Sequence, residues 1–349
     1  MLPVPVDTPD GYRKEGPVVM VLGNDKNLDI TTAQPSPYMV QSQRIWRITK
    51  GALKAGFLLF AIGVYPAMMW SAHDINDAPL EAVTAETWAS PSMGVAITLV
   101  AREVEGPGWT GDKAGFAPAR QLTAQPAWQD GLVNALADYI QLAAGTVTRS
   151  EEIDPDLAAA SRLLRTKSNT EMTPRLIAAA EALARFNGRV HADITNDLDA
   201  DQDLAQSLRL FAGWAKQSSI DLGERVGHKD GWPASRADVH AFYVARARAH
   251  VASSMLQAAV HAHPELMQRA TLRAQLRETQ DTWTRVALQD PLLVSNQDGD
   301  GAVLPNHLAA MAWHLEQAEA SSLHLAEMVS SAQPKLNVAD SGVVLSASP

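Results

Sequence analysis

The sequence predicts an all-α protein: a single N-terminal transmembrane helix followed by a multi-helix bundle ectodomain. Three observations carry this. The stretch "AGFLLFAIGVYPAMMWSA", Ala55 to Ala72, holds no charged side chain. From about residue 128 onward, segment after segment places apolar residues at helical spacing, in an alanine-rich background. Cysteine is absent, so disulfides and thiolate metal sites cannot hold the fold together, and burial of apolar surface must.

Residues 1–43 mix prolines with turn formers and show no sustained period. They read as a disordered cytoplasmic tail, with "PVVMVLG" as one unpaired short strand. Residues 44–72 are a basic flank and the transmembrane helix. The uncharged stretch reaches about 27 Å as a helix, close to the roughly 30 Å of a bilayer's hydrocarbon. Tyr65 and Trp70 fall where amphipathic rings favour the interface, and Pro66 is expected to kink the span. Arg44, Arg47, Lys50 and Lys54 precede it. Asp74, Asp77, Glu81 and Glu86 follow, with no Lys or Arg before Arg102. That asymmetry predicts a cytoplasmic N-terminus and a periplasmic C-terminal domain. With more than 40 residues ahead of it, the span reads as an anchor and not as a cleaved signal.

The charge divides in the same way. Residues 1–72 are net +2, and the rest are net −12. An acidic ectodomain is repelled by anionic headgroups. A total of −10 also argues against nucleic acid as a partner.

Residues 73–92 read as a linker, and 93–330 as the periplasmic helical domain. Within it, 93–105 fit a strand or a helix equally well, and 106–127 read as a loop. "WQDGLVNALADYIQLAAG" predicts a helix stopped by Gly145. "DPDLAAASRLLR" and "TPRLIAAAEALARFNG" each set a proline behind a capping residue, Asp154 and Thr173. From Leu204 one apolar stripe runs through Leu208, Phe211, Ala215, Leu222 and Val226. Ser235 and Asp238 form a capping-box pattern ahead of the next helix. Two more helices carry Leu272, Leu276, Trp283 and Val286, then Leu308, Met311 and Leu315. Residues 331–349 read as a loose tail.

Three motifs invite a chemical reading. "VEGPGWTGDK" spaces Gly106, Gly108 and Gly111 like a dinucleotide-binding fingerprint. That mechanism needs backbone N–H groups and a helix opening inside the loop. Pro107 removes one N–H, Pro118 follows closely, and Asp130 at the ribose offset falls inside a helix. No nucleotide cofactor is expected, and Trp109 is left as a candidate interaction residue. "NQDGDG" aligns Asn296, Asp298 and Asp300 with positions 1, 3 and 5 of a calcium loop, but His307 stands at the twelfth position. "PLLVS" and "AVLP" around it read equally as the arms of a hairpin. The alignment gives the expectation of calcium binding at Asn296, Asp298 and Asp300. His250 and His261, and His307 and His314, share helix faces, with His263 beside His261. No HExxH and no local carboxylate cluster turns them into a zinc site. A P-loop and a G-x-S-x-G elbow are both lacking, and no catalytic residue is singled out.

The order of "MMWS", "TLVAREVEGPGWTGDK", "PAWQDGLVNALADY", "DPDLAAASRLL", "FYVARARAHVASSML" and "LPNHLAAMAWHLEQAEASSLHL" resembles an uncharacterised bacterial family of membrane-anchored envelope proteins, domain of unknown function two-three-three-three. The resemblance spans roughly residues 55–330. It implies a single-pass inner-membrane protein with a mostly helical domain, and no catalytic residues to carry over.

The expected function is a non-enzymatic cell-envelope interaction or scaffolding component. Its partners would be the bilayer through residues 55–72 and other envelope proteins, with homo-oligomers compatible. The alternative is a periplasmic metal-dependent hydrolase or calcium-binding module.

Overall fold

A computed structural model describes residues 37–64, 75–80, 88–106, 108–146, 153–165, 171–195, 200–228, 230–262, 268–297 and 304–332. These form helices and irregular connections, with no strand among the described residues. The chain divides into two compact units, Met1–Leu59 and Phe60–Pro349.

The first unit contains helix α1, Pro37–Leu59. It opens inside the segment expected to be a disordered tail and runs through the basic flank. Ile45, Trp46, Ile48, Leu53, Phe57, Leu58 and Leu59 are all exposed. Lys50 Nζ sits 4.8 Å from the Trp46 ring centroid.

The second unit begins with a π-helical turn, Phe60–Val64. No described helix is long and apolar enough to cross a membrane. The distal part of the expected span, with Tyr65, Pro66 and Trp70, lies outside the described residues, as do the N-terminal "PVVMVLG" and residues 333–349 of the expected tail, whose first two residues, Ser331 and Ala332, end the last helix. The all-helical architecture is thus established, while the membrane span is not.

Among the described residues nine α-helices follow: α2 Pro91–Glu105, α3 Pro118–Gln121, α4 Ala124–Thr146, α5 Pro155–Leu164, α6 Thr173–His191, α7 Ala200–Gly227, α8 Arg236–Ala262, α9 Ala270–Ala287 and α10 His307–Ala332. Residues 93–105 are therefore helix. Two corrections apply to the loops. The expected 106–127 loop contains α3, and α4 starts at Ala124. "PLLVS" is irregular and forms no hairpin arm: Ser295 exchanges bonds with His307 at the start of α10, and the Asn296 that follows donates its N–H to Pro233 O ahead of α8.

Helix α8 is the axis of the bundle and packs on α2, α4, α7 and α9. Its inner face is largely alanine: Ala245, Ala247, Ala249, Ala252 and Ala258 are buried. Small side chains let helix backbones approach closely, as they do at Gly131 of α4. A Cβ there would lie 2.9 Å from both Val244 Cα and the Val244 carbonyl oxygen. Trp128, Trp283, Tyr243, Phe186, Phe211 and Phe242 fill the space between the alanine seams. Helices α7 and α10 pair antiparallel, with Arg209 meeting Ser330 and Ser219 meeting Glu316.

Candidate functional site

The glycine-rich loop is built into the domain. Gly108 has φ +69°, a conformation that favours glycine. Gly106 and Gly111 have no room for a side chain: a Cβ would meet Arg102 O at 2.6 Å and Trp109 Nε1 at 2.9 Å. Thr110 donates from both its N–H and its hydroxyl to Gln129 Oε1, at 2.9 and 2.8 Å. Asp112 then reaches the start of α6. Trp109 is only 6% exposed and belongs to the core. The expectation of an interaction role for it is corrected accordingly, because its ring is spent on its own domain.

Beneath the loop lies a buried polar cluster where α2, α4 and α8 meet. Glu103 is 3% exposed, and accepts from Trp128 Nε1 at 3.0 Å and Gln129 Nε2 at 2.8 Å. Burial raises its carboxyl above the usual range, against those two hydrogen bonds. Trp128 also meets two α8 residues one turn apart. The Arg246 guanidinium is 5.7 Å from the Trp128 centroid, and the His250 ring is 5.3 Å away. Arg246 is 1% exposed and pairs with Asp77 and Asp290, while its Nε donates to Ala287 O. Arg102 donates to the carbonyls of Ala78 and Pro79. Two arginines thus fasten the segment 75–80 onto the bundle, with Leu80 buried in the core. His250 is depressed to about 4, first by burial and then by the charges of Arg102 and Arg246.

A cavity of about 430 Å³ opens between the end of α7 and the start of α8, lined by Ser218, Asp221, Glu224, Arg225, His240 and Arg248 among others. Both charge signs are represented, so it selects no ligand class by sign. Arg248 donates to Ser218 Oγ at 3.0 Å. Nearby Asp130 is raised by burial, with His240 opposing.

No family model, curated protein or solved structure matches the chain. The resemblance to the envelope family therefore rests on the order of the quoted segments.

The structure disperses the other sequence candidates. His250 is in the buried cluster. His307 Nδ1 accepts from Ser295 N at 3.1 Å, and His314 packs edge-on against Trp313. The side chains of His261 and His263 lie outside the described residues. Among the described residues, no three His, Asp or Glu side chains are grouped to hold a metal. Asn296 is 1% exposed and faces inward, while Asp298 and Asp300 lie outside the described residues. Lys54 is exposed on α1; the side chains of Arg44 and Arg47 lie outside the described set. Sequence reasoning missed Arg246 and Asp112 as organising residues, and neither has a local signal. Asp238 it named as the partner of Ser235 in a capping box, and the box forms.

Proposed function

We propose that the chain is a single-pass bacterial inner-membrane protein, N-terminus cytoplasmic. Its helical domain would work in the periplasm as a non-enzymatic interaction or scaffolding component of the cell envelope. The observation that carries this reading is the exposure of Leu53, Phe57, Leu58 and Leu59, at 75, 71, 58 and 72%. At 100° per residue these side chains point to several sides of α1, not to one. A helix that packs on a protein buries one stripe, whereas α1 buries none from Ile48 to Leu59, Lys50 and Lys54 included, and the sequence after Lys54 stays uncharged to Ala72. The basic residues on its N-terminal side and the acidic segment after it fit the N-in orientation.

The interaction role draws on the surface of the domain. Trp232 and Trp313 are 77 and 55% exposed, and tryptophan is the side chain most enriched at binding hot spots. Anchoring restricts such a surface to the membrane plane and raises its encounter rate with other envelope proteins. A periplasm-only reporter fused at the C-terminus should be active, and the protein should stay in the membrane after alkaline wash. A silent reporter or a freely washed protein would overturn the anchor. Crosslinking in membranes should then give a reproducible partner that Trp232→Ala or Trp313→Ala weakens.

A further inference from the structure

The cavity between α7 and α8 runs along the two helices as a groove. Ser218, Asp221 and Arg225 share one face of α7 at helical spacing, and Ala237, Ala241, Val244 and Arg248 share one face of α8. That α8 face is apolar apart from Arg248, which donates to Ser218 Oγ at 3.0 Å. The volume of about 430 Å³ falls within the roughly 300–1,000 Å³ of small-molecule pockets.

Arg248 is a cation without a counter-ion. Only one of its N–H groups has a partner, the buried Ser218, and among the described residues no carboxylate pairs with it. Burial disfavours its charge, against the pull of the Asp221 and Asp138 carboxylates. Asp138 is engaged elsewhere, by Arg165 at 2.6 Å and by Trp214 Nε1 at 3.2 Å. Asp221 uses one oxygen, Oδ1, which accepts from Gln217 Nε2 at 2.8 Å. A guanidinium and a carboxylate thus line one cavity, attract each other and do not touch. Glu224, Arg225 and His240 complete the polar lining, and their charges offset one another at neutral pH. A bare anion in the groove would face Asp221, and a bare cation would face Arg248. A molecule carrying both charges satisfies both groups.

We propose that this groove binds a zwitterionic small molecule of the α-amino-acid kind. Arg248 takes its carboxylate, Asp221 takes its ammonium group, and Ala241 and Val244 carry its side chain. The free guanidinium edge suits a carboxylate, which can accept two of its N–H groups at once. The small apolar floor suits an aliphatic side chain better than a polar one. The inference stands whether or not the chain is membrane-anchored.

The test uses the full-length chain in mild detergent, with the detergent buffer as blank and L-leucine as the probe. Calorimetric titration should give saturable binding of one leucine per chain. Two half-ligands separate the charges: 4-methylpentanoate lacks the ammonium group, and 3-methylbutylamine lacks the carboxylate. Each should bind at least about tenfold more weakly than leucine, the scale of one lost hydrogen bond between charged groups. No saturable heat with leucine up to about 10 mM would overturn the proposal. So would a half-ligand that binds as well as leucine, because the groove would then be a simple anion or cation site. Asp221→Asn should weaken leucine about tenfold and leave 4-methylpentanoate unweakened. Equal weakening of the two would refute the role given to Asp221. Arg248→Gln should abolish the advantage of leucine over 3-methylbutylamine and, since Arg248 lacks a counter-ion, melt no lower than the wild type. An Arg248→Gln protein that binds leucine as the wild type does would refute the site.

Discussion

Asp112 caps a helix that begins 61 residues further along the chain, at Thr173. Its Oδ2 accepts from Thr173 N at 2.7 Å and from Thr173 Oγ1 at 2.6 Å, and its Oδ1 accepts from Met172 N at 3.0 Å. A helix start leaves N–H groups without intrahelical partners, and an oxygen anion satisfies them while matching the dipole. The sequence "TPRL" reads as a self-capped start; in the fold the hydroxyl of Thr173 instead donates to a carboxylate from the glycine-rich loop.

Asp112→Ala should therefore destabilise the domain by about 1 kcal/mol, the usual cost of a lost N-cap. Burial pushes this carboxyl up, but the bonds from Thr173 and Met172 prevail and hold it below its ordinary value. A lowered folded-state value means the stabilisation is present above the unfolded value of about 3.8 and is lost as pH falls through the folded one. Urea midpoints at pH 7 and pH 3 measure this. The difference between wild type and Asp112→Ala should shrink at the lower pH, and an equal difference at both would refute the carboxylate's role.

Much of the helical plan is legible in the sequence, because it follows from local chemistry. The Asp154 side chain accepts from Asp156 N and Leu157 N behind Pro155, as its position predicts. The Ser235–Asp238 box forms as its spacing predicts. What escapes the sequence is set by contacts between distant residues. Nothing around Asp112 announces Thr173, and nothing around Asp77 announces Arg246, 169 residues away. The glycine spacing at Gly106, Gly108 and Gly111 looked like cofactor chemistry because close packing and phosphate binding both demand residues without a Cβ. The inward turn of Asn296 was likewise invisible, since a calcium-loop pattern says nothing about the helix start beneath it.

Gly131 offers the sharpest packing test. Alanine there would press on the Val244 backbone, which cannot rotate away as a side chain can, and would meet Ala247 Cβ at 3.0 Å. Gly131→Ala should cost about 1–3 kcal/mol despite alanine's better helix propensity. Gly213, with nothing near its absent Cβ, is the control. Gly213→Ala should be neutral or stabilising in the same denaturation assay, and similar behaviour of the two variants would mean that α4 and α8 do not touch there.

Arg246 and Asp77 differ in what they carry. Arg246 is fully buried, and Arg246→Met leaves Asp77 and Asp290 without their partner while preserving bulk against Trp128. Asp77 and Asp290 are 27 and 70% exposed, so water can take the guanidinium's place on them, and the variant should lose about 1–3 kcal/mol, the scale of hydrogen bonds to a charged group. Asp77→Asn keeps a hydrogen-bond acceptor and should cost far less, yet should loosen the segment 75–80. Limited proteolysis should cut Asp77→Asn there faster than wild type, with the bundle intact. Equal cutting rates would show that Arg102 and Leu80 hold the segment unaided.

His250 sets the acid response of the cluster. Its ring is neutral in the fold, with a folded-state value of about 4 against 6.5 unfolded, because of burial and the neighbouring Arg102 and Arg246. Above pH 6.5 neither state binds the proton and stability is untouched. Between 6.5 and 4 the unfolded chain takes up a proton that the folded one refuses, so stability falls as pH falls. Below 4 both states are protonated and the loss levels off at about 3 kcal/mol. Glu103 runs the other way, since its raised value favours the fold at lower pH, so the wild type alone reports only a net slope. The variant separates them. His250→Phe keeps a ring against Trp128 and removes the titration. Its denaturant midpoint should resemble the wild type's at pH 7.5 and exceed it at pH 4.5. A difference that does not grow on acidification would mean the ring carries its proton in the folded state as readily as in the unfolded chain.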